Sequence, residues 1–372
     1  MTYQSLAAHR SMALDAVRND AYGAALRQAV GPQSVVLDVG AGTGILGVMA
    51  ARAGATRVYL VEPEDILSVA EEIVRANGLQ DVVRCIQGRI EEIRLPERVD
   101  LIVSVLTGNF LLTEDLLQTL FLARDAWLKP GGTLLPSAAR MRAVPVRTTG
   151  LHAKEIGAWS VPQHGVDLSP ARAYAANTIF YRNDVREAGW LADPVTLCSL
   201  DFSSSRYEGI QVAAAADVTE TGLCDGWAGW FDMKLGERWV STSPRSEAMH
   251  WTPAFLPLDP PLPVKSGERV SLQLVRTPFG DWTWTMECAA GRQQHSTLLS
   301  EPMTADSLAR LSLAYAPALN AEGQVLRDVL SRFDGATTVE SVAAWLCERH
   351  AGRFRSRTEA LRYVHRLLKP FA

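Results

Sequence analysis

The chain has 372 residues, long enough for two or three domains, with 47% hydrophobic and 21% charged residues, the balance of a globular protein. A net charge of -4 gives no global attraction to nucleic acid or a membrane surface, so neither is expected as a partner. Cys85, Cys198, Cys224, Cys288 and Cys347 are scattered without a C-x-x-C pair. With no signal-like N-terminus and no membrane-length apolar run, they argue against a disulfide framework or a metal site and for a reducing cytoplasm.

Val35, Val36 and Leu37 read as a buried strand, and Ile45 to Ala53 as an Ala-rich helix stopped by Gly54. Val58 to Val61 is a second strand, followed by a helix with Ile66, Val69, Ala70, Ile73 and Val74 in register that ends at Asn77-Gly78. Val82 to Ile86 and Leu101 to Val103 are further strands. Leu116 to Leu128 is a helix, and Lys129-Pro130-Gly131-Gly132 a turn before a strand at Thr133 to Leu135. This alternation, from about residue 34 to 140, predicts a parallel sheet covered on both faces. After Pro136 the texture changes. Residues 141–298 carry short alternating strands, many prolines and most of the tryptophans, which predicts an antiparallel barrel or sandwich interrupted by an Ala-rich helical insertion at Ser169 to Leu191. From about residue 300 the pattern is helical again, with Thr337/Glu340 and Ser356/Glu359 as capping boxes.

The segment Asp38-Val39-Gly40-Ala41-Gly42-Thr43-Gly44 joins the first strand to its helix. Glycines there let a ligand approach the backbone, and the helix start presents unpaired N–H groups. Gly42 to Gly47 also fits G-x-G-x-x-G, so a dinucleotide oxidoreductase enters as one reading, and a plain tight turn as another. Asp38 weighs against a pyrophosphate, because its carboxylate would repel that group. It suits instead the aminoacyl cation of S-adenosylmethionine (SAM). Glu62, closing the second strand, is placed to accept from both ribose hydroxyls.

Several segments spanning residues 3 to about 290 resemble the protein arginine methyltransferase family. They are His9-x-x-Met12-x-x-Asp15-x-x-Arg18-x-x-x-Tyr22, the glycine turn, Ile90-Glu91-Glu92-Ile93-Arg94-Leu95-Pro96, Ala123-Arg124-Asp125, Trp230-Phe231-Asp232 and His250-Trp251. The resemblance implies N-terminal helices over the cofactor (1–30), a Rossmann-like SAM domain (31–140) and a β-barrel substrate domain (141–298). An inserted arm at about 168–191 would make a homodimer, and residues 299–372 are left as an added helical module. It also implies that Arg18 pairs with the SAM carboxylate, Glu62 with the ribose and Glu91 with the adenine amino group, with Ile90 beneath the ring. His9, Pro63, Ser104, Asp38, Gly40, Gly42 and Gly44 complete the implied cofactor site.

The resemblance breaks at the acceptor. The family grips a guanidinium with two glutamates on the segment after the fourth strand; here Glu114 falls on the second and Val105 on the first. Replacing a carboxylate by valine leaves buried donors unpaired, at a cost of about 1–3 kcal/mol or more. The expected reaction is therefore SAM-dependent N-methylation of a small molecule or peptide other than protein arginine. O-methylation, or a non-catalytic SAM-binding scaffold, are the alternatives. Glu114, His250 and Asp15 are the expected acid–base residues, and Tyr3, Met12, Val105, Thr107, Asn109 and Trp251 the expected acceptor lining. Asp15–His250 reads equally as a tie between barrel and N-terminal helix. The tail, with Val325, Leu326, Val329, Leu330 and Phe333 on one helical face, Val342 and Leu346 on a second, and Leu361, Val364, Leu367 and Leu368 on a third, loosely resembles winged-helix or peptide-binding modules appended to peptide-modifying enzymes. Its arginines offer a surface for an acidic peptide or RNA phosphates, or a merely solvated face.

Overall fold

The structure, a computed structural model, describes residues 6–371; Tyr3 lies outside the described residues. Two compact units are present, one running through Pro302 and the other starting at Met303.

In the first unit, α1 (Leu6–Ala13) and α2 (Ala16–Ala29) precede a five-stranded parallel sheet. Its strands are β1 (Val35–Val39), β2 (Arg57–Glu62), β3 (Val83–Gln87), β4 (Val99–Ser104) and β5 (Leu128–Leu135), in the order β3-β2-β1-β4-β5. The helices α3 (Ile45–Arg52), α4 (Leu67–Ala76) and α5 (Leu117–Trp127) connect them. All five residues of β1 are buried, as a central strand with both faces covered requires. The strand order reverses between β1 and β4, so a crevice opens beyond the carboxyl ends of β1, β2 and β4. The Lys129–Gly132 turn expected from the sequence is instead part of β5. Leu128 already pairs with Val99, and the four residues before Thr133 are taken up as a register shift against β4, with Gly131 at φ 75°.

The polypeptide then forms two antiparallel sheets in a barrel-like arrangement. In one, β6 (Ala138–Arg147), β7 (Phe180–Tyr181), β8 (Gly189–Trp190), β11 (Gly222–Leu235) and β13 (Ala254–Val264) run in the order β7-β13-β11-β6-β8, with β9 (Val195–Asp201) on β6 and β12 (Arg238–Ser241) on β11. The other joins β10 (Ile210–Asp217), β14 (Arg269–Arg276), β15 (Trp282–Cys288) and β16 (Gly291–Ser296). The long strand β11 is buried from Cys224 to Met233 because it serves two cores: Trp227, Phe231 and Met233 enter the main one, while Ala228 and Trp230 enter a smaller cluster with Val144, Val146 and Phe255.

The insertion differs from the continuous helix expected over 169–191. Helical structure begins earlier, at α6 (Leu151–Glu155), and within the expected span only α7 (Arg172–Ala176) is α-helical. Pro170 sits in the preceding 3-10 turn. Asn177 caps the end by donating to the Ala173 carbonyl and accepting from the Ser296 N–H, and the remainder is drawn into β7 and β8. Ala-rich composition favours a helix, but tertiary pairing overrides it here.

The second unit contains α8 (Ala305–Arg310), α9 (Ala321–Leu330), α10 (Val339–Arg349) and α11 (Arg357–Phe371). Val325, Val329, Val342, Leu346 and Val364 form its own core. No strand occurs among its described residues, so the winged-helix expectation is replaced by a purely helical module. The cap of α10 falls on Thr338, which accepts from the Ser341 N–H, while Thr337 turns to Asp334; adjacent threonines make that one-residue shift invisible in sequence. At α11, Ser356 accepts from the Glu359 N–H and Glu359 reaches back to the Arg355 N–H, close to the expected box. No described helix is long and apolar enough to cross a membrane.

Candidate active site

One cavity of about 530 Å³ occupies the crevice at the switch point. It is bordered by α1 and the start of α2, by the turns after β1, β2 and β3, by the loop after β4, and by His250 and Trp251 from the barrel.

The roof is set by one carboxylate. Asp15, just beyond the end of α1, caps α2 by accepting from the Arg18 N–H at 3.0 Å. Its other oxygen accepts from both the backbone N–H and the Nδ1 of His250, at 2.8 and 2.9 Å. Because a carboxylate can only accept, Nδ1 carries the proton and Nε2 is left as the ring's acceptor. Burial pushes the His250 imidazole below its ordinary range, Asp15 opposing, so the ring is neutral at physiological pH. Burial would raise the Asp15 carboxyl, but its bonds to His250 and Arg18 hold it below the usual range. Arg18 is 2% exposed, and its guanidinium donates only to the amide oxygen of Asn19; among the described residues no carboxylate pairs with it. Burial lowers its pKa.

On the floor, Gly40 and Gly42 have φ of 68° and 54°, conformations that favour glycine, and a Cβ on Gly42 would stand 2.8 Å from His9 Nδ1. The backbone therefore forms the cavity wall directly beneath α1. Asp38 accepts from the Gly47 N–H at 2.9 Å; burial pushes its carboxyl up to about 7, with Glu62 nearby adding to the effect. Glu62 bridges two turns, accepting from the Gly42 N–H at 2.9 Å and the Glu64 N–H at 3.1 Å, and burial raises its pKa. Pro63, Ile90 and Glu91 border the same end.

Two residues expected in the cofactor site stand behind the wall. Gly44 is the left-handed cap of α3 and packs against Leu60 and Ala70. Ser104 is fully buried and braces the loop, donating to the Val39 carbonyl and accepting from the Leu106 N–H.

The loop after β4 is tightly held. Phe110, Leu111 and Asp115 have φ of 48°, 65° and 55°, strained for non-glycine residues. Trp251 Nε1 donates to the Thr107 carbonyl at 2.8 Å, the Thr252 N–H donates to Asn109 Oδ1, and Thr113 bonds Tyr181. Phe110 packs so closely on Gly229 that a Cβ there would lie 2.5 Å from the ring. At the loop's end Asp115 receives both Arg276 nitrogens at 2.6 Å, as well as Tyr207 and the Phe279 N–H. Burial would raise the Asp115 carboxyl, but Arg276 and these donors keep it low. Sequence reasoning missed Asp115; its partner is 161 residues away, and no local spacing signals the pair. Met12, Val105, Thr107, Asn109, Glu114, His250 and Trp251 all border the cavity, so the expected acceptor residues converge, Tyr3 aside.

Comparison with known proteins fits this geometry. Residues 36–132 match the sequence model of a methyltransferase domain, and fold and cavity define a SAM-dependent methyltransferase. Residues 137–286 match the arginine methyltransferase oligomerization subdomain. Protein arginine N-methyltransferase 6 of Xenopus laevis is 34% identical over 290 residues, covering 74% of this chain and 85% of the relative. The Trypanosoma brucei PRMT1 enzyme-prozyme heterotetrameric complex with AdoHcy matches with TM-score 0.72 at 27% identity, over 80% of this chain and 99% of that one. Arabidopsis thaliana protein arginine methyltransferase 10 matches with TM-score 0.69 at 25% identity, over 79% and 99%. The chain belongs to the protein arginine methyltransferase family.

Arg276→Leu leaves the buried Asp115 carboxylate without its cation. Urea denaturation is expected to show a loss of about 3–5 kcal/mol; a change under 1 kcal/mol would show that the pair does not hold the loop.

Proposed function

We propose that this methyltransferase N-methylates a small molecule or peptide rather than a protein arginine side chain. The reading is carried by Val105, which borders the acceptor end of the cavity together with Glu114 where the family resemblance places a pair of glutamates. One carboxylate offsets one charge. A guanidinium spreads its charge over five N–H donors, and those facing Val105 would be buried unpaired. The relatives' names point to protein arginine, and this single exchange separates the present chain from that acceptor.

The cavity fits SAM. Arg18, buried with a neutral amide for company, suits the cofactor's carboxylate, and Asp38 its amino group. Glu62, already fixed by two backbone N–H groups, keeps further acceptor capacity for the ribose, with Glu91, Ile90 and Pro63 at the adenine end and His9 above the glycine turn. Bound there, SAM supplies an electrophilic methyl carbon. The protein's part is to hold the acceptor nitrogen in line and to take the proton it sheds, through Glu114 or through the Nε2 that Asp15 leaves available on His250. We assign dimer formation to the inserted arm at about 168–191 together with the segment just before it, where Trp159, Val161 and Val166, like Tyr174 within the arm, are between 39% and 57% exposed.

Incubation with isotopically labelled SAM and a metabolite and peptide extract is expected to yield N-methylated products while an arginine-rich peptide stays unlabelled. Label on guanidinium nitrogen overturns the acceptor assignment, label on oxygen overturns nitrogen chemistry, and SAM binding without any product favours the scaffold alternative. Ionised Asp38 favours a cationic ligand, and its ionised fraction falls as pH drops through about 7. SAM affinity is thus expected to weaken by up to about tenfold per unit as pH falls below 7, and Asp38→Asn to flatten that slope; an unchanged slope removes Asp38 from the site. Ultracentrifugation should give a dimer, and the double variant Trp159→Glu, Tyr174→Glu a monomer; a monomeric wild type ends the dimer proposal.

A further inference from the structure

Thr107 is 3% exposed, and its hydroxyl is shut off from solvent without a hydrogen-bond partner. Buried hydroxyls are rarely left so, because the unmade bond costs about 1–3 kcal/mol. The residue cannot swing away to find one. Its N–H donates to the Val105 carbonyl at 2.7 Å and its carbonyl accepts from Trp251 Nε1 at 2.8 Å, so only rotation about χ1 remains. The same residue borders the cavity beside Val105, Glu114 and His250. With the backbone fixed at the edge of a binding cavity, a turn about χ1 brings the unsatisfied hydroxyl to a ligand that can satisfy it.

We propose that Thr107 is a specificity-determining residue, its hydroxyl accepting an N–H of an alkylamine whose single charge is met by Glu114. The proposal rests on the nitrogen-methylation reading above and narrows it to the amine class. An alkylammonium brings three N–H donors, and the acceptor end offers three groups that can receive them: the Glu114 carboxylate, the Thr107 hydroxyl and His250 Nε2. One proton passes to Glu114 or to His250 Nε2. The two remaining N–H groups stay on the other of that pair and on Thr107, and the freed lone pair is left unshared. It forms the new N–C bond as the sulfur–methyl bond of SAM breaks, with that bond's electron pair going to sulfur. A guanidinium spreads five N–H donors around a plane, and those turned toward Val105 meet no polar atom; the nearby Asn109 Oδ1 already accepts from the Thr252 N–H.

The test uses the full chain saturated with S-adenosylhomocysteine and two probes, n-butylamine and n-butylguanidine, titrated by calorimetry at neutral pH. The wild type is expected to hold butylammonium at least about tenfold more tightly than butylguanidinium. Thr107→Val should weaken butylammonium about tenfold, and Thr107→Ser, which restores the hydroxyl, should recover it. Unchanged S-adenosylhomocysteine affinity reports that each variant is folded. If Thr107→Val binds butylammonium as the wild type does while the wild type still rejects butylguanidinium, the role of Thr107 is overturned and the broader reading stands. Tighter binding of butylguanidinium by the wild type overturns both. Binding of neither probe overturns the amine class alone.

Discussion

The Asp15 carboxylate is the constraint on which the site depends. Its two oxygens take three N–H groups, one from the first turn of α2 and two from His250 of the barrel. The helix start, the parallel-sheet crevice and the barrel thus meet at a single side chain. Because Asp15 fixes where α2 begins, it also fixes Arg18, one turn further on and buried over the cavity. Loss of that carboxylate would free the helix N-terminus, the imidazole tautomer and the guanidinium together, so their effects cannot be treated as additive.

Charge in the cavity is arranged as opposed and mutually sheltered groups. Arg18 sits above and Asp38 and Glu62 below, each held by backbone or amide groups rather than by one another. Burial penalises all three charged forms, lowering Arg18 and raising both acids. A zwitterionic ligand that brings a carboxylate to Arg18 and a cation to Asp38 relieves both penalties at once. That preorganised tension gives a physical basis for selecting an amino-acid-bearing nucleoside over a dinucleotide of similar size.

Much of this was legible because it is local. The glycine turn, Asp38 and Glu62 lie at the ends of strands whose apolar runs are plain, and strand order then forces them together. Asp15 and His250, 235 residues apart, were paired through the family resemblance rather than through any feature of spacing. What escaped depends on long-range packing. Gly44 and Ser104, expected at the cofactor, do not border the cavity and instead pack and hydrogen-bond behind its wall. The Ala-rich insertion breaks because its end is captured by Ser296 and by neighbouring strands. Asp115, adjacent to the conspicuous Glu114, gains its meaning only from Arg276.

The loop between Ser104 and Asp115 is pinned at its start by a serine hydroxyl, at its middle by Phe110 wedged on Gly229, and at its end by a bidentate arginine. Such a segment tolerates no change of length, since an added or deleted residue would unseat every pin. Any divergence in what the site accepts would therefore proceed by exchange of side chains on an unmoving frame, and Val105 is one such exchange against the family pattern. A new preference can arise, or be engineered, one residue at a time without disturbing the fold that carries it.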